Sequence, residues 1–240
     1  MSTDAKITLY TNRGLWAHRV HIALEELGLP YEEVRVDTSV PRASEYLAIN
    51  PRGLVPSLVY NGEIIVESAI IVQFLVDAYP SHLLPPSTSV EGALQRARIS
   101  FFVDAFLNKF QSQVNRFYTA TASQDAAIVD AAVAALVKEV EPLLTNAKPF
   151  FGGSESLTFA EVLLGSHTAR LLALLRGDVY PLSGKFIVKL EAQVPNFWQW
   201  ANAVAVHPSV TKPFEKEAFV ERIRKRLGAA RAAAEAAASA

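Results

Sequence analysis

The feature that most constrains this chain is a proline at the start of a predicted strand, followed closely by a hairpin signal. Residues 50–58 read Asn-Pro-Arg-Gly-Leu-Val-Pro-Ser-Leu, and the Asn61-Gly62 pair that follows is the strongest short signal for a tight hairpin. Because Pro56 has no N–H to give to a sheet, it should occupy the first position of its strand, and the bond before it is a candidate for the cis form. The segment therefore predicts a strand over 54–60 that pairs antiparallel with a strand over 63–67.

An acid–serine pair, Glu67-Ser68, follows this hairpin and opens an apolar helical pattern at Ala69. A carboxylate can bind an ammonium group, and the first turn of a helix offers free N–H groups and a positive dipole end to a carboxylate. The head group of one amino acid would satisfy both. The pair therefore predicts a site for a small zwitterionic peptide.

The rest of this part of the chain alternates between strand and helix patterns. Strands are predicted at 6–11 and 31–36, helices at 17–27 and 68–79, and a short helix at 42–49. A strand–helix–strand unit this compact requires a right-handed crossover and parallel pairing of its strands. The predicted order is β-α-β-α-β-β-α.

In this order and spacing, the segments resemble the thioredoxin-like domain of a cytosolic glutathione transferase. The resemblance rests on residues 7–12, residues 16–24, the Asn-Pro-x-Gly-x-Val-Pro segment and Glu67-Ser68. It implies the glutathione transferase fold, which has an α/β thioredoxin-like N-terminal domain and an all-α C-terminal domain. The loop at 12–16 is similar to that of fungal members of the Ure2-like and omega-like kind, without their usual serine or cysteine.

A stretch rich in proline and serine, residues 79–89, separates the mixed pattern from a purely helical one. Helices are predicted at 91–121, 125–146, 159–175, 186–194 and 195–206, and the third opens with a Thr-Phe-Ala-Glu capping box. The predicted organisation is a glutathione-binding domain at 1–80, a linker at 81–90, an all-helical domain at 91–227 and an Ala-rich tail at 228–240. The tail has high helix propensity but no apolar bulk, so it is either a solvated helical extension or frayed.

Composition excludes several kinds of chemistry. The 240 residues include no cysteine, so disulfides, thiolate metal sites and a protein thiol nucleophile are excluded. A formal net charge of −1 argues against a nucleic-acid partner, and the basic run at 222–226 is expected to be the solvated last turn of a helix. The five histidines share no spacing with carboxylates that indicates a metal, and we expect them on the surface or at helix ends. With no targeting segment and no membrane-spanning run, a cytoplasmic protein that does not bind membranes is expected.

The resemblance implies a hydrogen-bond donor for the glutathione sulfur near the start of the first helix. Gly14 stands where the usual serine or cysteine would be, and Tyr10 lies one place off the register of the tyrosine-type members. Tyr10 as an ordinary half-buried strand residue is an equally good interpretation. We therefore expect Asn12 to orient the thiolate, with Arg13 as an electrostatic helper, although an asparagine in a turn also has local backbone reasons to be there.

The resemblance also implies how glutathione is held. The backbone of Val55 would bind the cysteinyl unit, and Glu67 and Ser68 would bind the γ-glutamyl head. Leu54 stands at a position where the family often has a lysine or glutamine for the glycyl carboxylate, a contact that leucine cannot make. The other candidates for that contact are Arg52, Arg42 and Trp16.

The second substrate is expected to bind between the domains, on the aromatic-rich helix that follows the linker. The candidate contacts there are Asn108, Phe110 and Phe117. The expected function is activation of glutathione for attack on a small hydrophobic electrophile by a homodimer that uses the apolar surface of Phe101 and Phe102. Three alternatives stay open: a glutathione-dependent isomerase, a natural-product tailoring enzyme, and a non-catalytic binding or regulatory module of the same fold.

Overall fold

A four-stranded mixed sheet organises the first part of the chain in the computed structural model, which describes residues 5–238. The spatial order is β2-β1-β3-β4, with β1 parallel to β2 and antiparallel to β3, and β3 antiparallel to β4. The strands are β1 (Ile7–Thr11), β2 (Glu32–Arg35), β3 (Ser57–Tyr60) and β4 (Glu63–Val66). This topology confirms the predicted order of strands and helices.

Three helices accompany the sheet: α1 (Leu15–Glu26), α2 (Ser44–Ile49) and α3 (Ser68–Ala78). The turn signals behave as predicted. Gly28, just after α1, has a φ of +61°, and the hairpin between β3 and β4 turns through two residues of positive φ at Asn61 and Gly62. The Val55-Pro56 bond is cis, as expected, but β3 begins one residue after the proline, so Pro56 is not the first residue of its strand and the predicted start at 54 is too early.

The second part of the chain is helical. The sequence predicted one helix over 91–121. In the structure, α4 (Val90–Asp104) passes into the π-helical turns Ala105–Gln111. The short helix α5 (Ser112–Asn115) and the 3₁₀ turn Arg116–Tyr118 follow. The helices are α4 (Val90–Asp104), α5 (Ser112–Asn115), α6 (Asp125–Ala135), α7 (Phe159–Arg176), α8 (Ser183–Gln193), α9 (Pro195–Val206), α10 (Pro208–Thr211) and α11 (Lys216–Ala238). None of the helices within residues 5–238 combines the length and the apolar character that crossing a lipid bilayer needs.

Helix α7 is the centre of this helical part, because its residues are buried from Phe159 to Leu175. The predicted capping box is present at its start, where Thr158 and Glu161 exchange hydrogen bonds. The Glu161 carboxylate also accepts from the indole Nε1–H of Trp200 at 2.7 Å. The box therefore joins the start of α7 to α9, which is a structural role.

The basic run at 222–226 was expected to form the last turn of a helix. It lies in the middle of α11 instead, because the Ala-rich segment continues the helix to Ala238. Of the two alternatives for the tail, a helical extension or frayed chain, the structure shows a helix as far as Ala238. Residues 239–240 lie outside the described part. The division of the chain at 81–90 stays a prediction.

Candidate functional site

A cleft of about 360 Å³ opens where the segment before β3 meets the starts of α1 and α3. Five of the predicted glutathione-binding residues come together in it. The cleft is lined by Trp16, Arg19, Asn50, Leu54, Val55, Pro56, Glu67, Ser68 and Ala69. A sixth, Arg52, donates to the Glu67 carboxylate.

The segment before the cis proline presents free backbone groups. The Leu54 carbonyl accepts from Asn50 Nδ2 at 2.9 Å and from the Tyr46 hydroxyl, which fixes the turn. Among the described residues, no hydrogen bond uses the N–H or the C=O of Val55. An extended peptide in the cleft can therefore pair with this residue as a short antiparallel strand would.

Glu67 is held in an unusual backbone conformation at the start of α3. Its φ is +69°, a region that non-glycine residues rarely occupy and that persists when the surrounding structure imposes it. Ser68, the first residue of the helix, is buried. The free N–H groups of this first turn and the Glu67 carboxylate thus face the same end of the cleft, so it offers partners for both charges of an amino acid head group.

Arg19 is the residue of this cleft that sequence reasoning missed. Its side chain is only 4% exposed, and its Nε and Nη2 atoms have no hydrogen-bond partner in the described part of the chain. The guanidinium lies 4.5 Å from the ring centroid of Trp16, and burial lowers its pKa to about 10, so it is still a cation at neutral pH. A buried cation without a counter-ion is unfavourable and marks a place where an anion would bind. An arginine inside a helical pattern gave no signal of this.

The structure places the two predicted catalytic residues outside the cleft. Asn12 Oδ1 accepts from the Gly14 N–H at 2.8 Å, and Asn12 Nδ2 donates to Thr38 Oγ1 at 3.1 Å. Arg13, with a φ of +52°, is paired with Glu33 at 2.9 Å. Both side chains have partners that shape the loop before α1, and neither lines the cleft, so their role at a bound sulfur stays a prediction.

Tyr10 lies in a different environment from the cleft. Its ring is 5.6 Å from that of Tyr46, and it lines a separate surface pocket with Val34 and Ile49. This matches the interpretation of Tyr10 as a half-buried strand residue.

A second cavity of about 480 Å³ adjoins the cleft at the start of α1. The neighbouring residues Leu15 and Trp16 line the cavity and the cleft, respectively. His167 also lines the cavity, and its ring meets the Trp16 ring edge to face with 5.2 Å between the ring centroids. The cavity is lined by Leu15, Gln111, Asn115, Tyr118, His167, Arg170, Leu171, Leu174, Tyr180, Phe219, Arg222, Ile223 and Arg226.

The three residues predicted to contact the second substrate do not line this cavity. Phe110 and Phe117 are completely buried, the first against Phe197 at 5.6 Å and the second stacked on Tyr180 at 5.1 Å. Asn108 is exposed and bonds to Asp104 on its own helix. The expectation was wrong because aromatic residues at helical spacing pack into the core, whereas polar residues of the next turns face the cavity.

Three histidines are buried, contrary to the expectation that all five lie on the surface or at helix ends. They are His18, His21 and His167. The Nδ1 atom of His18 accepts from Arg170 at 2.6 Å and its Nε2–H donates to the Val210 carbonyl at 2.9 Å, which ties α1 to α7 and α10. Burial and the charge of Arg170 lower the pKa of His18 to about 3, and burial with the charges of Arg19 and Arg170 lowers that of His167 well below its usual value. Both rings are therefore neutral.

Comparison with known proteins shows what the chain is similar to. The family described as "Glutathione S-transferase, N-terminal domain" matches residues 14–78. The "Probable glutathione S-transferase GSTU1" of Oryza sativa subsp. japonica is 30% identical over 224 residues, which cover 89% of this chain and 92% of that protein.

Two solved structures share the fold over nearly the full length. Glutathione transferase Omega 2C from Trametes versicolor has a TM-score of 0.77 and 26% identity, covering 93% of this chain and 99% of that one. Rice GST1 in complex with glutathione has a TM-score of 0.77 and 26% identity, covering 94% of this chain and 97% of that one.

Proposed function

This chain belongs to the glutathione S-transferase family, and from that premise we propose that it binds glutathione in the cleft and joins its sulfur to an electrophile in the adjoining cavity. The observation that carries the proposal is the meeting of Val55, Glu67 and Ser68 in one cleft that reaches the start of α1. Glutathione has the complementary groups, since it is an extended peptide with an amino acid head at one end.

The polar groups of the cleft suit glutathione in one direction along the cleft. The γ-glutamyl ammonium binds the Glu67 carboxylate, and the adjacent carboxylate binds the first turn of α3 at Ser68. The cysteinyl unit pairs with the free backbone of Val55. Leu54 and Trp16, which are about half exposed, cover the peptide with apolar surface. Arg52, which is paired with Glu67, lies at the γ-glutamyl end of the peptide in this arrangement.

Arg19 supplies the positive charge that stabilises the thiolate. A cation near a thiol favours its ionised form and lowers its pKa, most strongly where water is excluded. The thiol proton leaves to solvent, and the sulfur then attacks the electrophile. With an aryl halide, a C–S bond forms while the C–halogen bond breaks, and the halide leaves with the electron pair. The buried cation thus takes the part that a serine, cysteine or tyrosine has in other members.

The test is a melting experiment followed by an assay. Glutathione should raise the melting temperature of the wild-type protein, because a ligand that binds only the folded state stabilises it. The Glu67→Gln variant should lose most of the shift, and Glu63→Gln, which removes an exposed carboxylate from β4 outside the cleft, should keep it. Absence of a shift in the wild type would disprove binding. A shift without turnover of chlorodinitrobenzene would favour isomerisation or a non-catalytic role.

We also propose that the chain forms a homodimer through the exposed face of α3 and α4. Ile70 and Phe101 are 59% and 58% exposed, and an ion pair of 3.0 Å between Asp77 and Arg96 holds the two helices together. Phe102, also expected on this surface, is completely buried and stacks on a core phenylalanine, so it is not available. Light scattering should give twice the 26.2 kDa of one chain, and Phe101→Glu should lower it to a single chain. A wild-type mass of 26.2 kDa would contradict the proposal.

A further inference from the structure

The cavity beside the cleft is strongly cationic. Among the residues that the structure describes, three arginines line it, Arg170, Arg222 and Arg226, and no aspartate or glutamate does. Within residues 5–238, none of the three forms an ion pair. Arg222 lies 5.8 Å from the ring centroid of Phe219, and Arg226 lies 5.5 Å from that of Tyr118. The guanidinium groups therefore rest on the aromatic walls and keep their charge uncompensated.

The surroundings do not neutralise this charge. Arg170 is buried, and its hydrogen bonds within the described part of the chain go to uncharged groups, namely the ring of His18 and the carbonyls of Ser166 and Arg13. Burial, and then repulsion by Arg222, lowers the pKa of Arg170 to about 10. The acidic residues Glu217 and Glu221 of α11 line a different groove on the far side of the helix. The cavity thus has a positive field that favours an anion.

The remaining walls determine the shape of the rest of the ligand. Leu15, Leu171, Leu174 and Ile223 are apolar, and the volume of about 480 Å³ accommodates a ring system. Gln111 and Asn115 offer amide groups at one side of the cavity. An uncharged hydrocarbon would leave the arginines without a partner, whereas a purely ionic ligand would leave the apolar walls unfilled.

We propose that the cavity selects an electrophile with a carboxylate on a flat apolar body, and that Arg222 and Arg226 bind the carboxylate. The assignment of the ligand as an electrophile rests on the proposed function, but the preference for a carboxylate rests on the cavity alone. A guanidinium pairs with a carboxylate through parallel N–H···O bonds, which gives both affinity and orientation. The basic run of α11 is accordingly divided, because Arg222 and Arg226 face the cavity while Arg224 bonds to the Gly177 carbonyl and Lys225 pairs with Glu221.

The test uses two compounds that differ only in charge, 4-chloro-3-nitrobenzoate and 4-chloro-3-nitrobenzamide. Their binding is measured by titration calorimetry without glutathione, so that the result does not depend on turnover. The wild-type protein should bind the benzoate about tenfold more tightly than the amide. The double variant Arg222→Gln/Arg226→Gln should lose most of this preference, because only Arg170 of the three cations then remains. The control, Arg224→Gln/Lys225→Gln, loses the same charge from the same helix outside the cavity and should keep the preference.

With glutathione present, the ratio of kcat/KM for the two compounds should follow the same pattern in the three proteins. Equal binding of benzoate and amide by the wild type would overturn the proposal. A loss of preference in the control as large as in the cavity variant would also overturn it, because the effect would then come from net charge. Retained preference without any glutathione-dependent turnover would instead remove the proposed function and leave the carboxylate site in place.

Discussion

The glutathione cleft and the cationic cavity are neighbours that are built in opposite ways. The cleft takes all its described residues from 16–69, and it combines free backbone groups and a helix start with the side chains of Trp16, Arg19 and Glu67. The cavity takes its residues from 15, 111–118, 167–180 and 219–226, which are brought together only by helix packing. Most residues of the cleft therefore belong to short contiguous sequence motifs, whereas the residues of the cavity are brought together only in the folded chain. The two also differ in charge balance, since the cleft combines an acid with cations, whereas the charged residues described around the cavity are all arginines.

The largest effect is expected for the free energy of unfolding at acidic pH, because buried histidines lie where α1 packs on α7. The pKa of His18 is about 3 in the folded chain and 6.5 when exposed, so below pH 6.5 the unfolded state binds a proton that the folded state does not. Stability should therefore fall as the pH falls from 6.5 to 3, by at most about 1.4 kcal/mol per pH unit for this group. Denaturant unfolding at a series of pH values measures it.

The variant His18→Gln isolates this contribution, because carboxylates elsewhere titrate in both proteins. It should be less stable than the wild type at neutral pH and should show a shallower loss in acid. Parallel pH profiles for the two proteins would mean that His18 takes up its proton at the same pH in the folded and the unfolded chain, and the neutral His18 that joins α1 to α7 and α10 would be disproved.

The next largest effect is expected for Arg19→Met, which removes the cation from the cleft and keeps much of the side-chain volume. Turnover at saturating glutathione should fall about a hundredfold. This is the usual scale of the loss when one group that stabilises a negative charge during the reaction is removed. The melting temperature should not fall, because an unpartnered buried charge is removed. Thiolate absorbance of bound glutathione against pH provides the direct measurement.

Two variants act as controls for Arg19. Arg19→Lys keeps the charge and should keep most of the activity, while Asn12→Ala should leave turnover close to the wild type. If Asn12→Ala is the more damaged enzyme, then the sulfur is oriented from the loop, as the sequence alone indicated, and the assignment to Arg19 is wrong.

The contrast between Val55 and Arg19 shows how much the sequence could predict. The strand order, the hairpin and the cleft residues Val55, Glu67 and Ser68 follow from local rules about proline, glycine and helix starts. Arg19 could not be found in this way, because its burial depends on the contact of its guanidinium with the Trp16 ring and on the packing of α1 against α7. Phe110 was misplaced for the same reason, since periodicity shows that a helix has an apolar face but not what covers that face.

A smaller effect is expected where the two regions share a wall. The centroid of the Trp16 ring lies 4.5 Å from the Arg19 guanidinium carbon and 5.2 Å from the centroid of the His167 ring. Trp16→Leu should raise the KM for glutathione and for the electrophile together, each about fivefold, because a partly desolvated cation–π contact contributes on the order of 1 kcal/mol. Trp16→Phe retains a ring and should lie between. A change in only one KM would show that the two regions are independent.

The smallest effect concerns the missing hydroxyl at Gly14, and it tests whether the loop excludes the usual catalytic residue. A Cβ added at Gly14 would lie 2.6 Å from Asn12 Oδ1, which is fixed by the Gly14 N–H and by Thr38. Gly14→Ser should therefore cost about 1 kcal/mol of unfolding free energy, as overpacking does. In a double-mutant cycle, Asn12→Ala should remove that cost, because it vacates the space that the new side chain needs. Strictly additive losses would show that Asn12 does not block this position. A double variant that is more stable than the sum of the two single losses predicts would mean that the loop conformation fixed by Asn12 leaves room only for glycine just before α1, which excludes the usual serine or cysteine from this position.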